Sequence, residues 1–168
     1  MNGVSKSYVL DTSVFIEAFR SYYRFDIAPT FWQALAQHGR VGTVGSIDRV
    51  KEEIEKGKDD LAQWAQCVFH GSFKNTVDDQ VVAAYIRVIQ WAIEQDQYMP
   101  AARGEFAQAD KADAWIVAYA LAKGRVVVTQ EAPAPQGRRR IKIPDVCKGV
   151  RVPCVDTFEM MRNLGIKL

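Results

Sequence analysis

Four carboxylates at separated points of the chain carry the chemistry this sequence offers. Asp11 follows the apolar run Ser7-Tyr8-Val9-Leu10 and precedes two hydroxyl residues, Thr12 and Ser13. Glu131 lies two residues beyond the β-branched run Arg125-Val126-Val127-Val128-Thr129. Sheets of α/β proteins build their sites at the carboxyl ends of strands, so both acids fall where such a site forms. Asp113 is placed by helix phase. Ile116, Val117, Ala120 and Leu121 stand at i+3, i+4, i+7 and i+8 from it, so Asp113 extends their apolar stripe toward the helix N-terminus. A carboxylate facing a core is costly unless it is paired or bound to metal. Asp113 reads equally as a first-turn acid favoured by the helix dipole, behind Asp110 as N-cap.

Glu53 comes from the same phase argument. In the stretch after Ser46 the apolar positions are Ile47, Val50 and Ile54. At about 100° per residue, Glu52 points away from them and Glu53 borders them. Glu52 and Glu55 read as a solvated helix face. Glu131 by itself reads as a loop acid on the surface. Asp145, in Ile143-Pro144-Asp145-Val146-Cys147, is a further candidate and reads equally as the cap of a short helix. Whether Glu131 or Asp145 is the fourth acid stays open at this level.

Acids that converge repel one another, and divalent cations are what hold such clusters together. All-oxygen ligation suits Mg²⁺ or Mn²⁺. The matching chemistry is phosphodiester hydrolysis, in which one ion activates water and a second stabilises the leaving oxygen. Other chemistries fit poorly. Only His38 and His70 are present, with no HExxH, so zinc hydrolysis lacks ligands. No GxSxG, Walker or dinucleotide glycine motif occurs. A haloacid-dehalogenase-type phosphatase wants a second Asp two residues after the first, where this chain has Ser13.

These residues need a scaffold of alternating strands and helices. Strands are expected at 7–10, 41–44, 125–129 and 150–153, with a short one at 141–143. Helices are expected at 12–20, from Pro29 to about Gln37 with Gly39 ending it, and from a Ser46 cap to about Lys56. Further helices run from an Asp59 cap to about Phe69, from Asp78 to about Gln97, and from Asp110 to Gly124. Pro144 to Lys148 reads as a short helical turn and Thr157 to Leu164 as a closing helix. Residues 100–106 and 132–140 read as loops. The alternation implies an α/β fold, a parallel sheet covered by helices on both faces.

Composition sets the remaining bounds. At 168 residues, with 48% hydrophobic and 25% charged side chains, residues 1–168 suit a single globular domain. A net charge of +2 does not by itself specify a nucleic-acid partner, but Arg138, Arg139, Arg140 and Lys142 concentrate basic charge in one loop. Cys67, Cys147 and Cys154 form no CxxC pair, so reduced thiols are expected. The longest apolar run, Ala114 to Ala122, is too short to span a bilayer, and no secretory signal is visible. The expectation is a cytoplasmic protein without a membrane partner.

The chain resembles PIN domains, and within them a longer VapC-like subgroup. The resemblance rests on Leu10-Asp11-Thr12-Ser13, Val50-x-x-Glu53, Asp110-x-x-Asp113 continuing through Ala118 to Ala122, and Val127-Val128-Thr129-Gln130-Glu131, in that order. Phe31-Trp32, Asp60 to Trp64 and the Ile143-to-Cys147 box support the subgroup. It implies a three-layer α/β/α sandwich and a Mg²⁺- or Mn²⁺-dependent endoribonuclease acting on RNA. It further implies the toxin of a toxin–antitoxin pair, with an antitoxin protein as partner and a homodimer. Asp11, Glu53 and Asp113 would be the core metal ligands, Glu131 would complete or extend the site, and Asp110 and Asp145 would be outlying members. Thr12, Ser13 and Thr129 would order it by hydrogen bonding. On the nuclease reading, Arg138, Arg139 and Arg140 contact the RNA backbone. Tyr22, Tyr23 and Phe25 either stack on unpaired bases or pack against a neighbouring helix. The family's fourth acid is commonly Asp, whereas this chain offers Gln130-Glu131. That departure leaves a second reading, a catalytically degenerate module that binds RNA or a partner protein.

Overall fold

The structure, a computed structural model, describes residues 5–168. Strand β1 (Tyr8–Leu10) leads into helix α1 (Thr12–Glu17), which continues as a π-helical turn (Ala18–Tyr22). Then follow α2 (Pro29–Val41), β2 (Val44–Ile47), α3 (Asp48–Glu55), α4 (Asp60–Cys67), a 3₁₀ turn (His70–Ser72) and β3 (Phe73–Lys74). The second half contains α5 (Asp79–Glu94), α6 (Pro100–Phe106), α7 (Ala112–Lys123), β4 (Val126–Val128), α8 (Ile143–Val150), β5 (Cys154–Val155) and α9 (Thr157–Leu164).

The five strands form one parallel sheet in the order β3-β2-β1-β4-β5, flanked by helices. This is the expected α/β/α architecture. From β1 the chain crosses first to β2 on one side and later to β4 on the other. The carboxyl ends of β1 and β4 are therefore a topological switch point, where open α/β sheets leave a crevice. Leu10 pairs with Val128 in register, so Asp11 and Thr129 emerge side by side into it.

The central strands are buried on both faces. Tyr8 to Leu10 and Val126 to Val128 are buried throughout, as expected of continuous apolar runs in a parallel sheet. Helix α7 is buried on most of its circumference, at Ala112, Ala114 to Ala118 except where Asp113 begins the turn, and Ala120. It packs between the sheet and α5, so its apolar character is broader than the single stripe read from sequence.

Several expectations are corrected. Residues 100–106 are a helix, because Pro100 occupies the first helical turn, where its missing N–H costs nothing, and Ala102 and Phe106 are buried at i, i+4. Residues 141–143 are not a strand. Ile143, Val146, Cys147 and Val150 are buried at helical spacing in α8. Strand β2 starts three residues later than read, and β5 starts at Cys154 rather than Val150. Ser46 lies within β2 and donates to Leu10 O at 2.6 Å, so its hydroxyl serves the sheet and not a helix cap. Gly42, at φ 83°, ends α2 in place of Gly39. Gly39 instead admits a close neighbour, since a Cβ there would come within 2.8 Å of the Phe69 ring. Helix α7 begins at Ala112, with Asp110 in an exposed turn.

Candidate active site

Asp11 anchors the crevice. Its N–H donates to Val128 O at 2.9 Å, which locks the residue to the end of β4. Its carboxylate caps α1 by accepting from Thr12 N at 2.8 Å. The other oxygen, Oδ2, accepts from Ser13 Oγ at 2.7 Å and Thr129 Oγ1 at 3.0 Å. Ser13 Oγ also accepts from Gln130 N at 3.0 Å, and Thr129 Oγ1 from Glu131 N at 3.1 Å. The two hydroxyls thus tie the start of α1 to the segment after β4. Asp11 is 3% exposed. Burial pushes its pKa up to about 6, and the charge of Glu131 adds to the rise, while the Ser13, Thr129 and Thr12 hydrogen bonds oppose it.

Asp113 stands in the first turn of α7. Its pKa is pushed up to about 7, first by burial, then by the negative charges of Asp11, Glu131 and Glu53, against a smaller opposing effect of Arg140. Three carboxylates from separate segments, Asp11, Glu131 and Glu53, therefore act on Asp113, and Glu131 also acts on Asp11. Among the described residues none donates a hydrogen bond to the Asp113 carboxylate.

The other two acids are held by protein donors. Glu53 Oε2 accepts from Thr12 Oγ1 at 2.6 Å and Oε1 from Ala112 N at 3.0 Å, bridging the N-termini of α1 and α7. Glu131 Oε2 accepts from Ile143 N at 2.8 Å, at the start of α8, and Oε1 from Arg140 Nη2 at 3.3 Å. Asp145 does not join the group: its Oδ2 accepts from Ala134 N at 2.8 Å and fastens the Pro-rich loop. Asp110 is exposed. Arg138 and Arg139 are exposed on the same loop as Arg140, and Arg138 O accepts from Met99 N at 2.9 Å, which seats the loop against α6.

Two openings reach these acids. A small cavity of about 30 Å³ is lined by Asp113, Lys111, Arg140 and Glu105. A larger cleft of about 490 Å³ meets the acids at Thr129, Gln130 and Glu131. Tyr22 projects into the larger one, 54% exposed. Tyr23 and Phe25 instead pack in an aromatic cluster, with ring centroids 4.7 Å from Phe31 and 4.6 Å from Trp32 respectively.

The donor set and the charge suit a hard divalent cation. All four groups are carboxylates, and only Arg140 offsets them in the influences on Asp113. As the side chains stand, no three acidic, histidine or cysteine groups among the described residues gather at ligand distance, because Glu53 and Glu131 are turned to protein donors. The fit is thus one of charge and donor type.

Sequence reasoning located the four acids but missed the partners of two. Nothing in the pattern links Thr12 to Glu53 or Glu131 to the N-terminus of α8, since those contacts span 41 and 12 residues. Glu105 beside Asp113 was also missed, because residues 100–106 read as loop, and Lys111 because nothing in the helix pattern aims it at the acids.

The sequence matches, over residues 8–168, a family described as a domain of unknown function, DUF4411. The chain belongs to this family. Its fold is shared with solved structures of low sequence identity. The crystal structure of FitAcB from Neisseria gonorrhoeae is 17% identical, with 88% of this chain and 95% of that chain covered and a TM-score of 0.56. A structure of FitAB bound to an IR36 DNA fragment is 16% identical over 89% of this chain and 94% of that one, with a TM-score of 0.54. VapBC2 from Rickettsia felis, bound to a DNA fragment from their promoter, is 14% identical over 89% and 97%, with a TM-score of 0.53. The resemblance to VapC-like PIN domains therefore holds at the level of the fold. No curated protein matches the sequence.

Proposed function

We propose that this DUF4411 chain is a Mg²⁺- or Mn²⁺-dependent endoribonuclease, built as one PIN-like domain, that acts in the cytoplasm as the toxin of a toxin–antitoxin pair. The observation that carries this reading is that the charges of Asp11, Glu131 and Glu53 all act on Asp113, beside the switch point of a PIN-like sheet. Asp11, Glu53 and Asp113 would hold the cation, with Glu131 at its margin. When bound, the cation supplies Lewis-acid activation of water and charge neutralisation at the phosphate. The protein's own share is orientation. Ser13 and Thr129 fix Asp11, Thr12 fixes Glu53, and the buried walls below them keep the carboxylates from relaxing into solvent. Lys111 and the Arg138-to-Arg140 loop flank Asp113 with the positive charge an RNA backbone requires. The toxin role, an antitoxin partner and a homodimer are part of this proposal and rest on the resemblance to VapC-like PIN domains, which the fold shared with FitAB and VapBC2 supports.

Incubation of the purified protein with single-stranded RNA and Mn²⁺ tests the activity. Cleavage by the wild type that disappears in Asp11→Asn and under chelation supports the reading. Cleavage that persists in Asp11→Asn removes it. The engagement of Glu131 by Arg140 and Ile143 favours a second reading, a non-catalytic module of the same fold that binds RNA or a partner protein. Mn²⁺ titration separates the two, since a degenerate site would not bind the cation.

A further inference from the structure

The 490 Å³ cleft beside Glu131 is large enough to take a nucleobase, and its lining differs from the rest of the acidic site. Two aromatic rings border it, Tyr22 at 54% exposure and Phe158 at 41%. No Lys or Arg lines it. The basic groups near the acids, Lys111 and Arg140, line the small cavity at Asp113 instead. A phosphate therefore finds its positive partners on the Asp113 side, and the cleft, with two rings among carboxylates, suits a flat group that donates hydrogen bonds.

Gln130 gives the cleft a directed donor. The backbone N–H of Thr157 donates to the Gln130 side chain at 3.3 Å, and Thr157 Oγ1 lies 3.0 Å from the same atom. An N–H can only donate, so the atom facing it is the amide oxygen, and the NH₂ group is turned away from α9. That NH₂ has no partner among the described residues. The carboxylates of Glu17, Glu131, Asp156 and Glu159 also line the cleft and, ionised, can only accept.

We propose, building on the ribonuclease reading, that this cleft is a base-selecting subsite for single-stranded RNA. It takes the base of a nucleotide next to the scissile phosphate, stacked by Tyr22 and Phe158 and read by the Gln130 amide. Bases that carry an exocyclic amino group can donate to the carboxylates and accept from Gln130. Uracil offers a single N–H, at N3 between two carbonyl oxygens, where an amino group offers two, so a cleft lined by acceptors disfavours it.

Fluorescence anisotropy with labelled oligoadenylate, oligocytidylate and oligouridylate, on the Asp11→Asn protein without added metal, reads binding independently of cleavage. The expected result is adenylate and cytidylate binding roughly tenfold tighter than uridylate, and a further loss of roughly tenfold for each of Tyr22→Ala and Phe158→Ala. Gln130→Leu narrows the gap between cytidylate and uridylate. Thermal melts confirm that the three variants remain folded, both rings being largely exposed. No oligonucleotide binding, equal binding of cytidylate and uridylate, or variants that bind like the parent each overturn the proposal. An arginine-rich peptide that binds through Tyr22 and Phe158 where RNA does not would overturn it in favour of a partner protein. Failure of the ribonuclease reading shows elsewhere, as a wild type that lacks Mn²⁺-dependent cleavage while base preference in binding is intact.

Discussion

At Thr12 one hydroxyl reaches 2.6 Å across 41 residues of sequence to a carboxylate, and the order of the site depends on it. Thr12 is 8% exposed, and loss of its hydroxyl leaves Glu53 Oε2 without a donor in a half-buried setting, with only Oε1 still held by Ala112 N. Thr12→Val is expected to lower stability by about 1.5–3 kcal/mol, the range for a hydrogen bond to a charged group, and urea denaturation measures it. The acids themselves should act in the opposite sense. The folded-state pKa values of Asp113 (about 7) and Asp11 (about 6) both lie above the ordinary 3.8. Between those limits the native state holds more protons than the unfolded chain, so stability declines as pH rises. The metal-free protein should be most stable near pH 3.8, where this decline begins, and weaken up to about pH 7. Asp78, whose pKa Lys123 lowers, acts only below pH 3.8 and leaves this window alone. Asp113→Asn should flatten the decline. A metal-free wild type that gains stability from pH 5 to pH 7 would contradict the buried charge cluster.

At the scale of elements, what sequence shows best is a residue whose setting is local. Asp11 and Thr129 were legible because each follows a short buried strand, and Leu10 opposite Val128 brings them together. Asp59 and Gly124 were legible as helix ends because capping is a contact within one turn. Helix α6 was missed where Pro100 was read as a loop former rather than as a first-turn residue. Helix α8 was read partly as strand because Ile141 and Ile143 alternate, while the decisive period runs on through Val146, Cys147 and Val150. That helix matters to the site, since its first N–H holds Glu131 at 2.8 Å. It packs on α5 through Gly149, where an added Cβ would overlap the Trp91 indole. Gly149→Ala should therefore cost about 1–3 kcal/mol, as overpacking does, and also weaken Mn²⁺ binding by tilting α8. Denaturation and calorimetry on the same variant read both effects.

At the scale of the whole molecule, strand order is what brings the segments bearing Asp11 and Glu131 to one crevice. The order β3-β2-β1-β4-β5 places the crevice between β1 and β4, and the N-termini of α1, α7 and α8 deliver Asp11, Asp113 and the support for Glu131. No helix among the described residues is long and apolar enough to cross a membrane. The negative charge left at this crevice predicts that Mn²⁺ raises the thermal midpoint at pH 8, where the acids are ionised, more than at pH 5, because a ligand that binds only the folded state stabilises it by mass action. The central claim is that Asp11, Glu53, Asp113 and Glu131 together hold a divalent cation. Calorimetric titration of Mn²⁺ into the wild type and into Asp113→Asn tests it most directly. The account predicts saturable binding by the wild type and its loss in Asp113→Asn. No binding by the wild type, or equal binding by both proteins, would contradict it.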